Sequence, residues 1–136
     1  MATSDASDEP AVLKPAYFLC IDDLRELPKP VRLVVGQAIL DAQRGKKHLN
    51  AKPLKGFGGA GVLEVVVDHR GGTYRAVYTV KFAERVYILH VFQKKSKSGI
   101  KTPNSEMNKI KARYKEAERL HADYLAQQKT GDETRD

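Results

Sequence analysis

The apolar positions of this chain change their spacing several times, and each change marks an element. Residues 16–21 form a short apolar run of strand length with an aromatic pair, Tyr17 and Phe18. Asp22 and Asp23 suit the first turn of a short helix that Pro28 ends, and Pro30 opens the next helix. There Val31, Val34, Val35, Ala38, Ile39 and Ala42 fall on one face, and Gly45 is a natural stop after Arg44. Residues 45–61 have no period and read as one long, glycine-rich loop. The spacing then becomes two. Residues 62–67 and 73–80 read as strands joined by the turn sequence Asp68-His69-Arg70-Gly71-Gly72, and a second short turn at 83–85 leads into a third strand over 86–92. Met107, Ile110, Tyr114, Ala117, His121 and Tyr124 make the stripe of a long amphipathic helix, with Thr102 as its hydroxyl cap and Pro103 at its first turn.

Composition narrows the class. The chain has 136 residues, 41% of them hydrophobic, and no apolar run long enough to cross a membrane. One folded domain is expected over residues 14–126, between a disordered acidic tail at 1–13 and a frayed polar tail at 127–136. The start MATSDASDEP lacks the basic and apolar blocks of a secretory signal, so the expected location is the cytoplasm. The lone Cys20, set in AYFLCI, reads as a buried thiol without chemistry. The formal net charge is +7, but residues 14–128 alone carry 22 basic and 11 acidic groups, a net +11. A body that positive attracts polyanions.

The charge has a focus. The strand over 86–92 runs straight into Lys94, Lys95, Lys97 and Lys101, so the sheet fixes the start of a lysine cluster. Lys46, Lys47, Lys52 and Lys55 lie in the predicted loop. GFGGAG at 56–61 resembles a phosphate loop, but a strand follows it where that mechanism needs a helix N-terminus. His48, His69, His90 and His121 show no metal-ligand spacing, so no metal site is expected. Period-two geometry puts His90 and Lys94 on one face of their strand. In the strand that holds TYRAVY, Tyr74, Ala76, Tyr78 and Val80 make an apolar face and Arg75 points the other way, within reach of Glu64 on the neighbouring strand. No Ser-His-Asp set or acid pair stands out. Lysine, arginine, tyrosine and histidine suit cleavage of RNA by its own 2′-hydroxyl, which needs a base, charge stabilisation at phosphorus and a proton for the leaving oxygen.

The element order, with LKGFGGAGVLEV, YRAVY, VYILHVFQKKSKSGIKTP and the basic terminal helix, resembles the RelE/ParE toxin superfamily over residues 14–120. AQRG at 42–45 and FQKKS at 92–96 bring it nearest the phage-derived, HigB-like branch. The resemblance implies an α+β, RelE-like fold. Its small antiparallel sheet, an N-terminal strand plus a three-stranded meander, is packed by an N-terminal helical pair and carries a C-terminal amphipathic helix. It also implies the toxin of a type II toxin–antitoxin system, held by a cognate antitoxin of helix-turn-helix type. The activity implied is a metal-independent, cofactor-free, ribosome-dependent mRNA endoribonuclease. The superfamily's strand arginine falls on Arg75, as the group stabilising the scissile phosphate. Its basic residue at the last strand's end falls on Lys94, with Lys95 adjacent. Lys46, Lys47, Lys52, Lys55, Lys97 and Lys101, with the terminal helix, would grip RNA. RelE-type enzymes have lysines on the preceding strand, where this chain reads VLEVVV, so Lys55, His90, Tyr78 and Lys94 all stand as candidate bases. Arg75→Ala is expected to relieve toxicity with the fold intact. The alternatives are a ParE-like DNA gyrase poison on the same fold, and a non-catalytic phage-derived nucleic-acid-binding protein.

Overall fold

The structure, a computed structural model, describes residues 13–59, 61–94 and 102–134. Among them the chain runs β1 (Ala16–Phe18), α1 (Ile21–Arg25), α2 (Lys29–Gln43), β2 (Ala51–Pro53), β3 (Val62–His69), β4 (Gly72–Thr79), β5 (Val86–Lys94) and α3 (Asn104–Thr134). The strands form one sheet in the order β1-β5-β4-β3-β2. The fold is α+β and of the expected RelE-like kind. The sheet, however, has five strands and is mixed, because β1 lies parallel to β5 while every other pair is antiparallel.

The fifth strand comes from the stretch read as a loop. β2 is three residues long, too short to show a period, and only its first residue, Ala51, is buried. It is an edge strand, where Pro53 does no harm to the ladder. The predicted hairpin joins β3 to β4 through Arg70 and Gly71, both at positive φ (50° and 79°), as a two-residue turn between twisted strands requires.

Helices cover both faces of the sheet. Val31, Val35, Ala38, Ile39 and Ala42 of α2 are buried, with Val34 packed beside them, against Val65, Val67, Ala76, Tyr78, Ile88 and Val91. On the other face Ile110 and Ala117 of α3 pack on Val62, Val77, Tyr87, Leu89 and Phe92. α3 begins after Pro103, whose carbonyl accepts from the Met107 N–H at 2.9 Å. Thr102 does not cap it: its hydroxyl donates to Glu64 Oε2 at 3.2 Å and ties the start of the helix to β3. Cys20 is buried, and burial pushes its thiol up to about 11, so it stays protonated. No helix among the described residues is long and apolar enough to cross a membrane.

Candidate functional site

The face of the sheet under α3 carries the polar groups, in rows set by strand register. Lys52 on β2 lies opposite Glu64 on β3, Glu64 opposite Val77 on β4, and Val77 opposite His90 on β5. The next row reads Val66, Arg75, Phe92, and the one after it Asp68, Thr73, Lys94. One irregularity makes this possible. Val77 pairs with His90 but Tyr78 pairs with Ile88, so Leu89 is an extra residue, a β-bulge. Strict alternation after Tyr87 and Leu89 would send His90 to the α2 face. The bulge shifts the parity, and His90, Phe92 and Lys94 join Arg75 beneath α3.

Arg75 is buried. Its Nη1 donates to Glu64 Oε2 at 2.9 Å, and the two side chains are only 5% and 3% exposed. The ion pair anticipated between these residues is therefore present, running diagonally between neighbouring rows. Its burial revises the expectation for Arg75→Ala, since taking one partner from a buried pair costs about 3–5 kcal/mol. That substitution perturbs the fold together with any chemistry. Lys94 is also buried, at 7% exposure.

The open space lies beside this pair. A cavity of about 520 Å³ is lined by Lys52, Pro53, Leu54, Lys55, Gly56 and Glu64 from the sheet side. Thr102, Asn104, Met107 and Lys111 close it from the start of α3. It has the size of a small-molecule site. Three lysines surround one carboxylate, so the cavity favours an anionic guest. Arg75 and Lys94 are not among the described residues that line it. They share the face with the cavity but are themselves buried.

His90 is built into the helix contact. Its Nε2 lies 2.6 Å from Glu106 Oε1 and its Nδ1 2.8 Å from Arg113 Nη1. Arginine has only donors, so Nδ1 must accept and Nε2 must carry the proton that goes to Glu106. Burial holds the histidine below its ordinary range, the Glu106 hydrogen bond partly offsetting this and the nearby Arg113 charge adding to it. Arg113 Nη1 also donates to the Leu89 carbonyl at 3.1 Å, which satisfies a group at the bulge.

Tyr78 is set apart. It belongs to the α2 side of the sheet, is 1% exposed, and burial pushes its hydroxyl up to about 12. The fold thus places this candidate base on the face opposite Arg75 and His90. Lys46 and Lys47 are exposed on the connection from α2 to β2, outside the cavity lining. Lys52 and Lys55 do line it. Lys95, Lys97 and Lys101 lie outside the described residues. The sequence reading assigns the terminal helix a part in gripping RNA but singles out none of its site residues: Asn104, Met107 and Lys111 in the cavity, Glu106 and Arg113 on His90. The spacing of Met107 and Lys111 puts them on one helix edge, the only signal available. Among the described residues no group of three or more His, Cys, Asp or Glu gathers to hold a metal ion.

A family model described as phage-derived protein Gp49-like (DUF891) matches residues 22–115. That span runs from α1 into the middle of α3 and includes every residue of the cavity and of the His90 cluster. No curated protein matches the chain.

Proposed function

This chain belongs to the Gp49-like family of phage-derived proteins, a RelE/ParE-like toxin family, and we propose that it is the toxin of a type II toxin–antitoxin system of the HigB-like kind. In this reading it cleaves messenger RNA on the ribosome, in the cytoplasm, and a cognate antitoxin of helix-turn-helix type holds it inactive. The observation that carries the reading is the cavity: Lys52, Lys55 and Lys111 around a buried carboxylate, on the sheet face that also bears Arg75, His90 and Lys94. Ammonium groups gathered at one cavity suit the dianionic phosphorus centre formed when a 2′-hydroxyl attacks. The apolar Pro53, Leu54 and Met107 offer a surface for a base turned out of its stack.

Brief expression in bacteria, followed by mapping of 5′ ends on cellular messages, tests this. Cuts within translated codons, carrying 5′-hydroxyl ends, are expected within minutes. Replacing Lys52, Lys55 and Lys111 together with alanine should abolish the cuts and restore growth. Growth arrest with DNA damage and uncut messages would move the protein to the gyrase-poison class.

A further inference from the structure

We propose that the Glu64 carboxylate is the general base of this site, and that Arg75 is its positioning residue and does not itself bind the phosphate. The inference rests on the ribonuclease reading above. Glu64 is 2% exposed, yet it lines the cavity. Both of its hydrogen bonds fall on one oxygen: Arg75 and Thr102 each donate to Oε2. Oε1 takes no hydrogen bond from the described residues and is left to accept from the cavity's guest. The guanidinium of Arg75 holds Oε2 and is not among the described residues that line the cavity, so it acts on Glu64 and not on the guest.

The other candidate bases are less well placed. Tyr78 is across the sheet. His90 commits one ring nitrogen to Arg113 and the other to Glu106. Lys94 is two rows from Glu64 in the register. Lys55 shares the cavity, but an ammonium donates and does not accept. It fits the opposite task.

The reaction then balances within the cavity. Glu64 Oε1 takes the 2′-hydroxyl proton as O2′ bonds to phosphorus. The P–O5′ bond breaks, and O5′ takes a proton from Lys55 or Lys111. The products are a 2′,3′-cyclic phosphate and a 5′-hydroxyl. Water returns the proton from Glu64 to the lysine.

Single-turnover cleavage of messenger RNA on purified ribosomes, followed across pH, tests the assignment. Glu64→Gln keeps the shape and an acceptor for Arg75 and Thr102 but cannot take the proton. It should bind free RNA as the parent does and melt as one cooperative unit. Its cleavage should be at least about 100-fold slower, and the rise of rate on the acid side should be absent. Arg75→Lys should keep part of the rate and displace that acid limb, which a purely structural loss would not do. Glu64→Gln cleaving within about threefold of the parent, or keeping the acid limb, overturns the proposal. If Glu64→Gln does not fold, Glu64→Asp decides: slower cleavage with the limb retained supports the assignment, and parental rate overturns it. A parent that leaves messages intact removes the ribonuclease reading and this inference together. A cutting parent with a cutting Glu64→Gln removes the inference alone.

Discussion

His90 lies between a guanidinium that can only donate and a carboxylate that can only accept, so the neutral Nε2–H form alone satisfies both. Protonation would set an N–H against Arg113. Glu106, Lys109 and Arg113 are the charged groups that act on it, all from α3. Because burial lowers its proton affinity, the unfolded chain takes up a proton before the folded one as acid is added. Stability is therefore full above the ordinary histidine value of about 6.5 and falls as pH drops below it, until His90 itself titrates. Urea unfolding at several pH values should show this slope in the parent and a weaker one in His90→Gln; equal slopes would exclude His90 as its source. Of these details the sequence told that His90 and Lys94 share a face and that Glu64 reaches Arg75. It did not tell that His90 is spent on α3, because the partners stand 16 and 23 residues away.

At the scale of elements, α3 decides most. It spans 31 residues, about 46 Å at 1.5 Å per residue. Ile110 and Ala117, both fully buried, fasten it to the sheet, and Glu106 and Arg113 fix it through His90. Further along, His121 Nδ1 lies 3.1 Å from the Tyr87 hydroxyl and Nε2 2.8 Å from Glu84. Arg85 stacks between Tyr17 and Tyr124, at 4.1 and 3.6 Å from the ring centroids, joining β1 to the same helix. Ile110→Ala leaves a cavity at the centre of this contact and should cost about 2–5 kcal/mol in chemical denaturation. A loss below about 1 kcal/mol would mean that α3 is held chiefly by its polar contacts. The stripe of α3 was legible because its period runs unbroken for five turns. β2 was not, since three residues carry no period, and the bulge at Leu89 was not, since it is a matter of pairing between strands.

For the molecule as a whole, charge and cavity belong together. The net +11 over residues 14–128 favours contact with polyanions, and on the proposed function the three cavity lysines would turn part of that attraction into position. Binding to single-stranded RNA should weaken steeply with salt. Replacing Lys52, Lys55 and Lys111 by alanine should reduce the slope of log K against log salt by about 2, from roughly 0.7 per lost phosphate contact. An unchanged slope in a titration followed by fluorescence anisotropy would place the phosphates elsewhere on the basic surface.

The sequence by itself determined every element but β2, the α+β class, the face of β4 that carries Arg75, and the basic character of the body. These are consequences of local period, turn chemistry and composition, which act over a few residues. Only the tertiary structure decided that Arg75 is buried against Glu64, that His90 is spent on α3, and that Lys52, Lys55 and Lys111 meet around one carboxylate. Those outcomes depend on strand register, on a single extra residue in β5, and on where a distant helix comes to rest, and none of the three is written in the neighbours of the residues concerned.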